Sequence, residues 1–164
     1  MKNQMKFYFS ALISVTLIIS STSYATPNLF FRGIIIDPPP CLINNEKQID
    51  IDFGDKLGIN KIDGNNYRQK INYTIECYSD PSAAMLLLTV TGKVMSGDKS
   101  AIQSSKPGLG IRLLENNRHI HIGQGWVINT STPPLLEAVP VADAKIQLVE
   151  GDFVASASLM AEYY

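Results

Sequence analysis

The C-terminal segment alternates more strictly than any other part of the chain. Between residues 151 and 163 every second residue is apolar or glycine: Gly151, Phe153, Ala155, Ala157, Leu159, Ala161 and Tyr163. Successive side chains of a β-strand point to opposite faces, so this set shares one face. An ordinary sandwich strand fits the alternation. The three alanines favour a second interpretation, because small side chains leave a shallow channel that other side chains can fill.

Similar two-residue periods recur along the rest of the chain and predict an all-β fold. Turn-forming clusters such as Asp63-Gly64-Asn65-Asn66 separate the periodic segments, and no long amphipathic helix stands out. Many short strands with frequent turns are typical of a β-sandwich or barrel. The predicted strands are residues 49–54, 71–77, 85–91, 111–114, 120–122, 135–141, 146–149 and 153–163.

The N-terminal residues 1–25 have the organisation of a secretory signal peptide. Lys2 and Lys6 precede an apolar stretch, and Ser23 and Ala25 supply small residues before the expected cleavage point. The apolar stretch of about 13 residues is shorter than the about 20 that span a bilayer, which disfavours an uncleaved anchor. An exported chain meets oxidising conditions, so Cys41 and Cys77 are expected to form a disulfide.

A second alternating segment follows the signal. Its alternate positions are Leu29, Phe31, Gly33 and Ile35. The run Pro38-Pro39-Pro40 follows and interrupts any hydrogen-bonded strand ladder, because proline has no N–H to donate. A strand outside such a break is either an arm that leaves the domain or an edge strand of the same sandwich. The pattern alone leaves both interpretations open.

The composition offers little for catalysis or for binding polyanions. The formal net charge is −1, so no basic surplus is present to neutralise nucleic acid. His119 and His121 share a predicted strand face, but no carboxylate or free thiol is placed to complete a metal site. Trp126 is expected in the core rather than as a sugar-stacking platform. We therefore predict neither an enzyme, nor a cofactor, nor a metal site, nor a nucleic-acid partner.

Taken in order, several motifs make the chain resemble the chaperone–usher pilin family, most closely its P-pilus-type minor tip and adaptor subunits. The first is the C-terminal signature of a glycine, alternating hydrophobic residues and a penultimate tyrosine. The others are Phe31-Arg32-Gly33 leading into Pro39-Pro40-Cys41-Leu42-Ile43-Asn44-Asn45, then Ile51-Asp52-Phe53-Gly54, Ile62-Asp63-Gly64-Asn65-Asn66-Tyr67, Leu88-Thr89-Val90-Thr91-Gly92 and Gly108-Leu109-Gly110-Ile111.

The resemblance implies an incomplete immunoglobulin-like sandwich that lacks its seventh strand and is completed by a donated strand. It implies a signal peptide at 1–25, an N-terminal donor-strand extension at 26–40 and a pilin domain at 41–164. The donor residues would be Leu29, Phe31, Gly33 and Ile35. The acceptor groove and chaperone contact would be Gly151, Phe153, Ala155, Ala157, Leu159, Ala161, Tyr163 and Tyr164, with the Tyr164 carboxylate held by basic residues of the chaperone.

The implied function is that of a structural fimbrial subunit that supports cell adhesion. Its partners would be a periplasmic pilus chaperone, an outer-membrane usher and neighbouring pilins on both sides, and its route would lead through the periplasm to the surface fimbrium. Since the chain has both an arm and a groove strand, we expect an internal subunit, a tip adaptor rather than a rod subunit. The alternative is a self-contained secreted β-sandwich that binds a carbohydrate or small ligand.

Overall fold

The computed structural model describes residues 29–35, 41–78 and 85–163. The chain divides into two units, Met1–Ile36 and Asp37–Tyr164. The predicted signal peptide lies outside the described residues. In the described ranges, no helix is both long and apolar enough to cross a membrane.

The second unit is built almost entirely from antiparallel strands, as the alternation predicted. Its only helical elements within the described residues are two short 3₁₀ turns, Asn44–Glu46 and Ile59–Lys61. The described strands are β1 (Cys41–Ile43), β2 (Gln69–Ile71), β3 (Ile75–Cys77), β4 (Leu86–Gly92), β5 (Val94–Met95), β6 (Asp98–Gln103), β7 (Leu109–Glu115), β8 (Arg118–His119), β9 (Trp126–Ile128), β10 (Leu136–Ala142) and β11 (Ala157–Tyr163).

These strands form three sheets. The largest has the order β2-β10-β7-β6-β5, with β8 added to β7, and a three-stranded sheet has the order β11-β4-β9. Strand β11 pairs with β4 over its whole length, from Ala157 opposite Gly92 to Tyr163 opposite Leu86. Strand β11 therefore forms one edge of the three-stranded sheet, and among the described residues no strand other than β4 is hydrogen-bonded to it in that sheet.

One hydrophobic cluster joins the two larger sheets into a sandwich. Strand β4 contributes Leu86, Leu88 and Val90, and the larger sheet contributes buried residues of β6, β7 and β10, among them Leu113 and Leu136. On β4 the buried residues alternate with half-buried Leu87, Thr89 and Thr91. Burial on alternate positions is what a sheet with one face on the core requires.

The disulfide predicted from export and cysteine count is confirmed. Cys41 of β1 and Cys77 of β3 are bonded, and they stand directly opposite each other in the two-stranded sheet. The cross-link ties the first strand of the sandwich to the strand with which it pairs.

Some expected strands differ from those observed. The segments 49–54 and 146–149 have no strand, and the segment expected at 71–77 is interrupted between β2 and β3. The C-terminal strand begins at Ala157 rather than at Phe153. The strand expected at 120–122 is wrong, because β8 ends at His119. A strand requires a regular ladder as well as an alternating sequence. The described residues of these segments make isolated backbone hydrogen bonds instead, such as Ile120 N–H to Leu113 O and Ser105 N–H to Val154 O.

Strand β6 escaped the sequence analysis for a different reason. Ser100, Ala101 and Ile102 are consecutive and all buried, so the strand shows no polar–apolar alternation. A strand that is buried on both faces and contains small or hydroxyl-bearing residues has no two-residue period in its sequence, so a search for alternation does not find it.

Candidate functional site

An open groove runs along the sandwich, and its lining includes side chains of the hydrophobic core. Its volume is about 940 Å³. The floor consists of buried apolar side chains of four strands and the segment after β8: Val90, Ile102, Ile111, Leu113, Ile120 and Leu136. A cleft of this size lined by core side chains is a candidate binding site.

The first wall of the groove is the extended segment 48–55. Ile49, Ile51 and Phe53 are half-buried and pack against the core, whereas Asp50 and Asp52 are exposed. The segment keeps the period of a strand, but it pairs with no described strand. Its backbone therefore takes part in no strand ladder of the described residues, and the Gly54 N–H donates to the Asp52 side chain.

The second wall is the segment 149–157, which leads into β11. Together with the start of β11 it contains five residues of the predicted acceptor set that line the groove: Gly151, Phe153, Ala155, Ala157 and Leu159. Ala161 and Tyr163 pack against the core further along β11 and do not line the groove. Tyr164 lies outside the described residues.

Burial along this second wall follows the predicted alternation only in part. Phe153, Leu159, Ala161 and Tyr163 are half-buried, as expected for the core face. Gly151, Ala155 and Ala157 are exposed. Glycine and alanine project too little to reach the opposite wall, so these positions form an open, shallow stretch.

The two walls of the groove contact each other through an aromatic pair. The ring centroids of Phe53 and Phe153 are 6.1 Å apart, with the ring planes tilted by 39°. This separation is within the range of favourable aromatic pairs. The pair therefore holds the two walls together at this point.

Gly151 occupies a position that requires glycine. Its φ of +121° is one that residues with a Cβ rarely adopt, and a Cβ there would lie 2.6 Å from Lys106 Nζ. The Lys106 ammonium donates a hydrogen bond of 2.9 Å to the carbonyl oxygen of Glu150. Ser105 adds two further bonds, in which its N–H donates to Val154 O and its Oγ accepts from Val154 N–H. The loop at 105–106 therefore fixes the start of the second wall.

The predicted arm shows no strand in its described part. Residues 29–35 are all exposed, including Leu29, Phe31, Gly33 and Ile35. Phe31 keeps 82% of its surface exposed. Such apolar side chains lose no water in this conformation, so their burial energy remains to be gained elsewhere.

The polar clusters outside the groove are structural. Burial opposes ionisation of Asp98, but the Ser100 N–H and the Arg112 guanidinium outweigh it and lower the pKa of Asp98. The backbone N–H groups of Asn66 and Asn65 lower the pKa of Asp63 and shape its turn. Trp126 packs against the core, and in the described ranges no group of three potential ligands could hold a metal ion.

Two parts of the groove were missed by the sequence analysis as site residues. The sequence predicts an ordinary strand at Ile49, Ile51 and Phe53. No sequence pattern marks Lys106 as a groove residue. The alternation of Ile49, Ile51 and Phe53 with aspartates was visible. What the sequence lacked was a sign that this segment has no partner strand.

The matches to known proteins cover nearly the whole chain. A family model described as fimbrial protein matches residues 30–164. The uncharacterized fimbrial-like protein YfcQ of Escherichia coli K12 is 32% identical over 165 residues, which cover 97% of this chain and 99% of YfcQ.

Two solved pilus subunits share the fold. The P pilus adaptor subunit PapF superposes with a TM-score of 0.53 at 25% identity, over 78% of this chain and 98% of PapF. The P pilus rod subunit PapA superposes with a TM-score of 0.62 at 18% identity, over 83% of this chain and 99% of PapA. The chain thus belongs to the fimbrial protein family, and its all-β sandwich is the immunoglobulin-like fold of pilus subunits.

Proposed function

We propose that this chain is an internal pilus subunit whose groove accepts a strand donated by a neighbour. Its own arm, within residues 26–40, would in turn complete another subunit. The observation that carries the proposal is the groove, which is lined by core side chains and lies between the extended segment 48–55, which pairs with no described strand, and the segment that leads into the edge strand β11. In this interpretation the sandwich lacks one strand, and the donated strand fills its place.

The physical chemistry of the two parts is complementary. An extended segment of seven residues spans about 23 Å and presents alternate side chains to one face. In the groove it would satisfy the free backbone groups of both walls by strand addition. Burial of each of the side chains of Leu29, Phe31 and Ile35 would contribute about 1.5–3 kcal/mol to the free energy of strand addition. Gly33 suits a point where two backbones approach closely.

An open groove of this kind also explains the need for a chaperone. An apolar cleft beside an unpaired strand edge is an aggregation hazard. We propose that a periplasmic chaperone fills the groove first and holds the Tyr164 carboxylate, and that an outer-membrane usher then exchanges its strand for the next subunit's arm. The role is structural, at the surface fimbrium.

Within the pilus, we propose a tip-adaptor position. The support is the sequence identity to the adaptor subunit PapF, 25% against 18% for the rod subunit PapA. The TM-score is higher for PapA, 0.62 against 0.53, so the adaptor position rests on the sequence and not on the backbone. Both neighbours of an adaptor are other pilins, which agrees with a chain that has an arm and a groove.

The experiment compares the chain from residue 26 onward expressed in the periplasm alone and with a pilus chaperone. Alone, it should aggregate or be degraded, and with the chaperone it should elute as a one-to-one complex. A stable, monodisperse monomer without any chaperone would contradict the proposal. That result would favour the self-contained β-sandwich that binds a small ligand.

A further inference from the structure

The start of the second wall depends on one loop of the opposite sheet. In the described part of the chain, the hydrogen bonds of residues 147–155 all go to Ser105 or Lys106, in the turn that joins β6 to β7. Burial adds little, because only two side chains of this stretch are half-buried and the others are exposed. The position of the wall before β11 is therefore set mainly by Ser105 and Lys106.

This loop is itself held firmly within the larger sheet. The Gln103 amide lies within hydrogen-bonding distance, 3.0–3.1 Å, of three carbonyl oxygens of the loop. The hydroxyl of Ser104, a residue only 7% exposed, accepts from the Lys106 N–H and donates to the Leu109 carbonyl oxygen. Buried hydrogen-bond networks of this kind rigidify the segment that contains them. Ser105 and Lys106 therefore offer fixed attachment points to the wall.

Ser105 engages Val154 as a neighbouring strand would. Its N–H donates to the Val154 carbonyl oxygen at 2.8 Å, and its Oγ accepts from the Val154 N–H at 3.0 Å. In an antiparallel ladder, a residue that exchanges both bonds with one neighbour has adjacent residues whose backbone groups point to the other side. Here the adjacent residues are Phe153 and Ala155, whose backbone groups have no hydrogen-bond partner in the described ranges. Both residues line the groove, so the groups that Ser105 leaves unpaired are those beside an entering strand.

Lys106 holds the other end of the same stretch. Its ammonium donates a hydrogen bond of 2.9 Å to the carbonyl oxygen of Glu150. The two attachments, at Glu150 and Val154, enclose Gly151 and Phe153 of the predicted acceptor set. With both ends held, the stretch loses less conformational freedom when a strand pairs with it, and preorganisation of this kind raises affinity.

We propose that Ser105 and Lys106 are positioning residues of the acceptor groove: they hold the second wall so that the backbone groups of Phe153 and Ala155 can pair with an incoming strand. The proposal rests on the proposed function, because it needs a groove that accepts a strand. It does not depend on which protein supplies that strand. Ser105 takes the role of a strand neighbour beyond the end of the ladder between β4 and β11.

The test follows hydrogen exchange of single amides, by NMR, in the purified complex of the chain with a pilus chaperone. In the parent complex we expect the Phe153 and Ala155 N–H groups to exchange slowly, because both would donate to the bound strand. Ser105→Ala removes the acceptor of the Val154 N–H, and exchange at residues 153 and 155 should become about tenfold faster. Ser105→Thr keeps a hydroxyl and should restore slow exchange.

Internal references separate positioning from a general loss of stability. A destabilised domain would exchange faster throughout, whereas the amides of β4 and β10 should keep the parent's rates in Ser105→Ala. Lys106→Met removes the donor to Glu150 but keeps the length of the side chain, and it should speed exchange at the same two amides, which gives a second test if Ser105→Ala is not recovered. The control Ser131→Ala removes an exposed hydroxyl that makes no hydrogen bond among the described residues, and it should leave all rates unchanged.

The functional readout is the rate at which labelled chaperone leaves the complex in excess unlabelled chaperone. This rate should also rise about tenfold for Ser105→Ala and stay at the parent's value for Ser105→Thr.

The outcomes distinguish this inference from the proposed function. Fast exchange at Phe153 and Ala155 in a parent complex whose β11 is protected would overturn the positioning role, and so would faster exchange throughout the domain in Ser105→Ala. The acceptor groove would stand in both cases. If the chain forms no complex with a chaperone, the proposed function and this inference both fail.

Discussion

At the scale of single residues, the backbone conformation at Gly151 disfavours any residue with a side chain at the start of the second groove wall. Its φ of +121° disfavours any residue with a Cβ. We predict that Gly151→Ala lowers the free energy of unfolding by about 1–3 kcal/mol. The measurement is urea unfolding of the soluble chain with its groove filled, followed by the fluorescence of Trp126, the one tryptophan of the chain.

Two variants distinguish the cause. Gly97→Ala also places a Cβ at positive φ, +84°, but with nothing within 4 Å, and should cost about 1 kcal/mol. Lys106→Ala combined with Gly151→Ala removes the atom nearest the new Cβ. If the double variant regained full stability, the backbone conformation would not be the reason for the glycine.

At the scale of elements, the predicted outward and inward faces of β11 can be tested directly. Leu159 is half-buried opposite Val90, whereas its neighbour Ser158 is exposed opposite Thr91. Leu159→Asp would place a carboxylate in the groove, where it must stay unpaired or take up a proton, at a cost of several kcal/mol. We predict a severe loss of soluble chaperone complex for Leu159→Asp and little loss for Ser158→Asp. Equal losses would show that β11 has been assigned the wrong face.

The same scale shows what the sequence could predict. Two strands with partners on both sides were predicted to within about a residue: 85–91 corresponds to β4 at Leu86–Gly92, and 135–141 to β10 at Leu136–Ala142. The segments 49–54 and 153–156 alternate just as well but are not strands. Alternation is a local property, whereas pairing depends on what lies beside a segment in space.

The site was predictable on one side for the same reason. The groove-facing set from Gly151 to Leu159 followed from its period and its small residues. The opposite wall at Ile49, Ile51 and Phe53 has the period of any half-buried strand, so only the fold reveals that its edge is free. Lys106 is brought to Gly151 by the fold, and no sequence period links residues so far apart.

At the scale of the whole molecule, the described residues include an arm with exposed apolar side chains and a groove lined by side chains of the core. Leu29, Phe31 and Ile35 of the arm are exposed, and the groove lies open between its two walls. If the two features serve different neighbours, they should be separable. We predict that deletion of residues 26–36 leaves recovery of the chaperone complex unchanged, because the groove is intact, but prevents attachment to the preceding subunit.

The assay is incorporation into surface fimbriae, scored beside chaperone co-purification from the same cells. The control variant replaces Asn28, Phe30 and Ile34 with serine and keeps Leu29, Phe31, Gly33 and Ile35, so it preserves the face that would enter a neighbour's groove. That variant should still be incorporated, because the energy of strand addition comes from the buried face and the backbone ladder. Normal incorporation of the deleted chain would mean that the arm donates nothing. Loss of its chaperone complex would mean that arm and groove do not act separately.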